Sequence, residues 1–196
     1  ETTAQKVDSI KESIEATNAP NIEKYQKKNK TTFILGDSIV KDLDGYLLTG
    51  SLQKKFIVKV RSFCSATTEC MWDYCKPTLR KDDPSNIILH TGTCDFKLEK
   101  EPEEIAEDIV KLAKSMKKKD NKITISKLIP RGDKFNDKVN DVNKKLEQLC
   151  IESNIDIISH NNINNKRHLR RGKVHLNNTG TSILARNYKD YLLNCD

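Results

Sequence analysis

Short apolar runs alternate with longer amphipathic stretches from about residue 31 to the end of the chain. The runs are rich in Ile, Val and Leu and are bounded by polar or turn-forming residues, which is typical of buried strands. They predict five strands, over 32–35, 56–60, 86–90, 122–129 and 155–159. Between them apolar residues recur at helical spacing, which predicts helices over about 66–80, 101–118, 134–153 and 179–193.

This alternation decides the fold class. Strands that alternate with helices indicate right-handed βαβ crossovers, and hence a parallel sheet with helices on both faces. The predicted fold is a three-layer α/β/α domain whose five-stranded parallel sheet has the flavodoxin-like order 2-1-3-4-5. Ligands of such sheets bind at the carboxyl ends of the strands, so the polar residues that follow each strand are the candidates for a functional site.

Residues 1–30 differ from the rest of the chain in being polar and Lys-rich. Three apolar residues have heptad-like spacing before a proline interrupts the pattern: Val7, Ile10, Ile14 and Pro20. The segment predicts a polar helical linker or the tail of a coiled coil, followed by one domain over 31–196. The start at Glu1, without Met, favours a fragment of a longer protein or a processed chain.

Composition narrows the function classes. None of the apolar stretches approaches the roughly 20 residues of a membrane span, so no transmembrane span is predicted. The six cysteines have no Cys-x-x-Cys or zinc-finger spacing, so no metal site, disulfide framework or cofactor is predicted. Scattered cysteines and the lack of a signal-peptide pattern favour an intracellular, cytoplasmic protein.

Basic residues give the 196-residue chain a formal net charge of +7. They concentrate in two segments, 114–119 and 166–173, and such clusters are compatible with nucleic acid as a partner. Solvated surface is the default interpretation, because no aromatic residue is interleaved to stack on bases. Nucleic-acid binding is therefore the secondary hypothesis.

A serine follows the first predicted strand, in Gly36-Asp37-Ser38-Ile39. A hydroxyl at a strand-to-helix turn lies beside free backbone N–H groups, and Gly36 removes a side chain that would obstruct a reacting carbonyl. This position favours Ser38 as a nucleophile. The alternative is an ordinary helix N-cap, since Ser and Asp are both common there.

Further motifs follow the second and third predicted strands, and one precedes the last predicted helix. In chain order the set is Gly36-Asp37-Ser38, the segment 61–68, His90-Thr91-Gly92-Thr93-Cys94-Asp95 and Val174-His175-Leu176-Asn177. Over about 31–193 this series resembles the SGNH/GDSL hydrolases. The resemblance implies hydrolysis of acyl esters, with Ser38 as nucleophile and His175 as base. It also implies an oxyanion hole made by the N–H groups of Ser38 and Ser65 and by the side chain of Cys94.

Three positions depart from the family pattern. Ser65 replaces a Gly, which keeps the backbone N–H but not the ease of a tight backbone path. Cys94 replaces an Asn, and a thiol is a weak donor. Gly172 stands where the family has the acid that orients His175, so we expect a Ser–His dyad in which a main-chain carbonyl near Gly172 accepts the imidazole N–H. An enzyme of this kind would be slow.

Other residues of these motifs are expected to support the site. Asp37 and Asp95 brace their loops through backbone contacts, and Gly36 and Gly92 allow the turns. Cys94 is the alternative nucleophile, but no motif supplies it with a base. Three aromatic residues near the second motif are interpreted as core rather than as an acyl pocket: Phe63, Trp72 and Tyr74.

A narrower resemblance concerns the segments 61–68, 76–78 and 88–93. They look like the SGNH domains in proteins of LINE-type retrotransposons, where an esterase-like domain accompanies coiled-coil or nucleic-acid-binding segments. Two function hypotheses follow. The chain is either a weak serine esterase that takes small acyl-ester substrates, or a catalytically decayed binding or assembly module of a retroelement-derived protein. Neither the acyl specificity nor the oligomeric state follows from the sequence.

Overall fold

Five parallel strands form a single sheet in the computed structural model, which describes residues 30–53 and 55–195. Their order is β2-β1-β3-β4-β5, which confirms the predicted order. The strands are β1 (Lys30–Gly36), β2 (Phe56–Ser62), β3 (Asn86–His90), β4 (Lys122–Ser126) and β5 (Asp156–Ile158). The prediction of a linker or coiled-coil tail over 1–30 lies, apart from Lys30, outside the described residues.

Five α-helices connect the strands or follow them within the described part of the chain. They are α1 (Gly45–Ser51), α2 (Thr68–Lys81), α3 (Pro102–Met116), α4 (Asn136–Ser153) and α5 (Asn178–Leu193). Two short 3-10 turns, Ser38–Val40 and Asp95–Lys97, follow β1 and β3. The last four helices match the predicted ones within about two residues. Helices were expected in every gap between strands, but α1 had no predicted bounds because its Gly- and Thr-containing sequence is a poor helix former.

Two strands are shorter than predicted: β5 lacks one residue at each end, and β4 loses three at its end. The apolar run 122–129 predicts a strand throughout, but β4 ends at Ser126. Beyond it, the N–H and C=O groups of Leu128 bond to the side-chain amide of Asn143 in α4, at 2.9 Å each, instead of to a neighbouring strand. The apolar residues that follow β4 are therefore buried in a loop rather than in the sheet.

Alternating side chains of the strands build two cores, one on each face of the sheet. In β1, Phe33 and Leu35 pack with α2, α3 and α4, while Ile34 packs with α1 and α5. Because helices cover both faces, the central strands are apolar on both sides, as parallel sheets require. Among the described residues, none of the helices combines the length and apolar character needed to cross a bilayer.

Candidate active site

The candidate site lies where β1 and β3 end side by side. Gly36, the last residue of β1, pairs with Ser62 of β2 and His90 of β3. A Cβ atom on Gly36 would lie 2.5 Å from the His90 carbonyl oxygen, so only glycine allows this approach. The chain then leaves the sheet at the carboxyl end of its first strand, next to the switch in strand order where ligands of such folds bind.

Asp37 fixes the turn that follows. Its buried carboxylate accepts hydrogen bonds from the N–H of Ile39 at 2.9 Å and from the N–H of Thr93 at 3.2 Å. Its own N–H donates to the His90 carbonyl at 3.1 Å. Burial raises the pKa of Asp37 to about 6 although these backbone bonds oppose the shift. Asp37 therefore ties the Ser38 turn to the loop after β3.

Ser38 begins the 3-10 turn, and its Oγ lies 2.9 Å from His175 Nε2. The two residues are 137 positions apart in the chain and both are partly buried. Within the described residues, the Ser38 N–H donates to no protein acceptor. A hydroxyl in contact with an imidazole, beside a free backbone donor, is the arrangement that an activated nucleophile needs.

Arg170 holds the loop that carries His175. Its backbone N–H donates to the His175 carbonyl at 2.8 Å, and its Nε donates to the Leu176 carbonyl at 2.9 Å. Its Nη2 reaches Asp42 Oδ2 at 2.7 Å, and Asp42 lies four residues after Ser38. One arginine thus joins the segment that bears the base to the segment that bears the nucleophile.

The start of α5 anchors the same loop. The side chain of Asn177 accepts from the Gly180 N–H at 2.9 Å and donates to the Arg167 carbonyl at 2.8 Å. A Cβ on Gly180 would lie 2.3 Å from the His168 carbonyl oxygen. The His-Leu-Asn-x-x-Gly pattern therefore has a structural reason, because the Asn caps the helix and the Gly lets the loop cross it.

The electrostatic surroundings of His175 favour its neutral form. Burial lowers the pKa of His175, and the positive charges of Lys41 and Arg170 lower it further, while Asp42 opposes them. No described protein group accepts a hydrogen bond from His175 Nδ1, so the expected carbonyl near Gly172 does not orient the ring. The lowered pKa favours the unprotonated imidazole, whose second nitrogen has no fixed partner among the described residues.

Ser65 adopts a tight backbone path of the kind that glycine allows most easily. Its φ angle is +65°, in the left-handed region that favours glycine. The side chain is exposed, and its N–H donates to no acceptor among the described residues. With Ser rather than Gly at position 65, the backbone N–H is still available as a donor, but the left-handed conformation is strained.

Cys94 is half-buried and precedes the second 3-10 turn. Burial raises the pKa of its thiol, and the nearby Asp37 carboxylate raises it further. A protonated thiol is a poor nucleophile and a weak hydrogen-bond donor. These surroundings disfavour Cys94 as the nucleophile.

Asp95 and Gly92 shape the loop after β3. The buried Asp95 carboxylate accepts from the N–H and the hydroxyl of Thr68, both at 3.0 Å, and so secures the start of α2. Burial raises its pKa, whereas the Thr68 bonds oppose that shift. Gly92 has φ +116°, and a Cβ there would lie 2.9 Å from Ile109 Cδ1. Both residues shape the loop, and neither presents a reacting group to Ser38.

Solved structures with similar folds are abundant, although no protein-family model and no curated protein sequence matches the chain. A member of the lipolytic G-D-S-L family from Veillonella parvula is 18% identical, with a TM-score of 0.69 over 84% of this chain and 98% of its own. Esterase EstA from Pseudoalteromonas, in a structure inhibited by monoethylphosphonate, is 12% identical, with a TM-score of 0.69 over 84% and 97%.

A GDSL-like lipase from Bacteroides thetaiotaomicron is 13% identical, with a TM-score of 0.70 over 96% of this chain and 98% of its own. The chain has the SGNH hydrolase fold. The identities are low, so the likeness establishes the fold and leaves the chemistry to the residues of the site.

Beneath the site, the SGNH fold of this chain holds a buried polar network that the sequence did not reveal. Ser126 Oγ lies 2.8 Å from His90 Nδ1, 2.7 Å from His160 Nε2 and 2.9 Å from the Tyr188 hydroxyl. Burial lowers the pKa of His90 to about 4 and that of His160 to about 3. The sequence assigns no role to His160, because a histidine in an Asn-rich loop carries no signal of burial.

Arg131 follows β4, and two of the aromatic residues that were assigned to the core follow β2. The buried Arg131 pairs with Asp133 at 2.5 Å and donates to the Thr93 carbonyl at 3.3 Å. Phe63 stacks on Tyr74 at 5.9 Å, but Tyr74 is 53% exposed, so its assignment to the core is wrong. Among the described residues, no group of three or more His, Cys, Asp or Glu side chains is arranged to hold a metal ion.

Proposed function

We propose that this chain is a serine esterase that hydrolyses small O-acyl esters with Ser38 as nucleophile and His175 as base. The observation that carries the proposal is the 2.9 Å contact between Ser38 Oγ and His175 Nε2, at the carboxyl end of β1 in an SGNH fold. The depressed pKa of His175 supports it, because a base must be unprotonated at the pH of the reaction.

The reaction proceeds in two halves. Ser38 Oγ attacks the ester carbonyl while His175 Nε2 takes its proton, and the N–H groups of Ser38 and Ser65 bind the oxyanion. The intermediate collapses to an acyl-Ser38 ester, and His175 returns the proton to the departing alcohol. Water then attacks the acyl group with His175 again as base, which releases the carboxylic acid and restores Ser38.

We further propose that turnover is slow. The imidazolium that forms at His175 has no described carboxylate on Nδ1, and the nearby charges of Lys41 and Arg170 disfavour a further positive charge. In serine hydrolases, disabling the triad Asp costs about 10⁴ in kcat, and loss of one oxyanion donor costs about 10² to 10³. These losses do not add, because the residues act as a unit.

Hydrolysis of p-nitrophenyl acetate by the wild-type chain, Ser38→Ala and His175→Gln tests the proposal. We expect turnover above the spontaneous rate in the wild type only, together with labelling of Ser38 by a phosphonate ester. A Ser38→Ala protein that keeps full activity would contradict it. Circular dichroism of each variant separates loss of the nucleophile from loss of the fold.

The second candidate function is a catalytically decayed binding or assembly module of a retroelement-derived, cytoplasmic protein. It is favoured by the unpartnered His175 Nδ1, the thiol at position 94 and the basic segment 166–173. Salt-dependent binding of RNA or DNA tests it, since phosphate contacts weaken steeply with ionic strength. Absence of binding at low salt, together with Ser38-dependent hydrolysis, would exclude this alternative.

A further inference from the structure

The basic segment before His175 lines a cleft. The cleft measures about 500 Å³ and lies between the loop after β4 and the loop that carries His175. Four cationic side chains line it, and no Asp or Glu does: Lys166, Arg170, Arg171 and Lys173. We propose that this cleft binds an anionic group of the ester substrate, such as a carboxylate, beside the scissile bond. This inference rests on the proposed esterase function and names its substrate class.

Three of the four positive charges of the cleft have no ion-pair partner within the described part of the chain. Arg170 forms an ion pair with Asp42, and the nearby Asp133 forms one with Arg131. Lys166, Arg171 and Lys173 are exposed and form no ion pair with a described carboxylate. Three cations in one concave surface therefore remain available to an anion, which is more than a solvated surface with interspersed charges presents.

The cleft adjoins the loop that carries the candidate base. Arg170 lines the cleft and donates its backbone N–H to the His175 carbonyl at 2.8 Å. The opposite wall begins at Gly132, whose N–H bonds to the Lys173 carbonyl at 2.8 Å. The preceding residue, Arg131, reaches the carbonyl of Thr93, next to Cys94. Hydrogen bonds thus connect the cationic cleft to the loops that carry His175 and Cys94.

The backbone at Lys173 supports the same inference. Lys173 has φ +59°, a left-handed conformation that glycine adopts more readily. Hydrogen bonds hold it there, from its N–H to the Arg170 carbonyl and from the Gly132 N–H to its carbonyl, both 2.8 Å. A lysine occupies this unfavourable conformation, and its side chain lines the cleft. Strained positions of this kind concentrate at ligand-binding sites.

Two acetate esters with matched structures test the proposal. The anionic probe is 4-acetoxybenzoate and the neutral probe is methyl 4-acetoxybenzoate, so both transfer the same acetyl group. The test variant, Arg171→Gln with Lys173→Gln, leaves Arg170 in place. The control variant, Lys114→Gln with Lys119→Gln, removes the same charge from exposed positions at the end of α3 and just after it, where the chain leads into the amino end of β4.

The expected result is a selective loss. In the test variant, kcat/KM for the anionic ester falls by about 3- to 10-fold, whereas the value for the neutral ester stays within about twofold. The control variant changes neither value, and high salt weakens the wild-type preference. Equal changes for both esters in the test variant, or no change for either, would overturn the proposal.

Failure of the esterase function is a separate outcome. If neither ester turns over faster than with Ser38→Ala, binding of the unreactive 4-acetamidobenzoate is measured by saturation-transfer NMR against its methyl ester. Binding of the anion alone, lost in the test variant, supports the cleft without the chemistry. Equal binding of the anion to the wild type and to the test variant overturns it. Displacement of the anion by a short RNA that binds far more tightly assigns the cleft to a polyanion and also overturns it.

Discussion

Arg170 Nη2 lies 2.7 Å from Asp42 Oδ2, and this ion pair joins the loop of the proposed base to the segment that follows the proposed nucleophile. The pair is partly exposed, so its contribution to overall stability is expected to be small. Its importance is geometric. Because nothing described holds His175 Nδ1, the position of the ring depends on its backbone, which Arg170 holds.

Replacing Arg170 by Met should lower kcat for a neutral ester about 10- to 100-fold with little change in KM, because a small displacement of the base slows proton transfer more than binding. Steady-state kinetics with p-nitrophenyl acetate check this. Arg80→Met, at the exposed end of α2, is the matched control. If KM rises while kcat stays unchanged, Arg170 acts on substrate binding instead.

Replacing Cys94 by Asn should raise kcat about tenfold or more, because an amide N–H donates to an oxyanion better than a thiol does. The comparison is between wild type, Cys94→Asn and Cys70→Asn, whose side chain is exposed. An unchanged rate in Cys94→Asn would mean that the side chain at 94 does not reach the oxyanion.

Replacing Gly172 by Asp should restore an acid three residues before His175. A Cβ at Gly172 meets no atom within 4 Å, so the side chain has room. A carboxylate near Nδ1 stabilises the imidazolium, so we expect a higher kcat and an upward shift in the pKa of His175. Gly172→Asn is the matched neutral control. If NMR titration gives His175 the same pKa in both variants, the carboxylate does not reach the ring.

Replacing Ser65 by Gly should stabilise the fold by about 0.5 to 1 kcal/mol, because a left-handed conformation costs a non-glycine residue about 1 to 2 kcal/mol. Part of this gain is offset by the greater flexibility of glycine in the unfolded chain. Urea unfolding measures the difference. Ser65→Ala retains the Cβ and should show no such gain; if it gains equally, the strain is not conformational.

Stability should fall in mild acid because His90 and His160 are buried in the neutral form. Each binds a proton near pH 6.5 when unfolded but only near pH 4 or 3 when folded, so stability is lost as pH falls from about 6.5 towards 4. The loss between pH 7 and 5 is about 2 kcal/mol per histidine. Asp37 opposes it by about 1 kcal/mol, because its raised pKa costs stability as pH rises from about 4 to 6.

His160→Gln separates these contributions. Urea unfolding at pH 7 and pH 5 should show a loss smaller by about 2 kcal/mol than in the wild type, whatever the pH-independent cost of the substitution. His168→Gln, outside the buried network, should leave the difference between the two pH values unchanged. An undiminished acid loss in His160→Gln would show that His160 does not remain neutral in the fold.

The strand order and the neighbourhood of Ser38 could be predicted because they depend on local patterns. Apolar runs define the strands, and parallel crossovers bring their carboxyl ends together, so Gly36-Asp37-Ser38 and the His90–Asp95 loop had to meet. Helix α1 had no predicted bounds because its seven residues carry little helical signal. The end of β4 depended on Asn143, a side chain 15 residues away.

The long-range side-chain contacts around the site could not be predicted from the sequence. Arg170 meets Asp42 across 128 residues, and Ser126 gathers His90, His160 and Tyr188 from three other parts of the chain. Neither follows from periodicity, because each depends on side-chain packing in three dimensions. The left-handed conformation of Ser65 likewise contradicts the preference of the residue type.

The separation of 137 residues between Ser38 and His175 has a consequence for synthesis. A chain that has emerged as far as Ile158 contains all five strands, yet it lacks His175, Arg170 and α5, which covers part of one face of the sheet. Because chains emerge from the ribosome in order, the serine is in place well before anything can deprotonate it. Under the proposed function, ester hydrolysis by a nascent chain would therefore begin only after synthesis has passed His175, so activity would report on folding of the chain beyond β5.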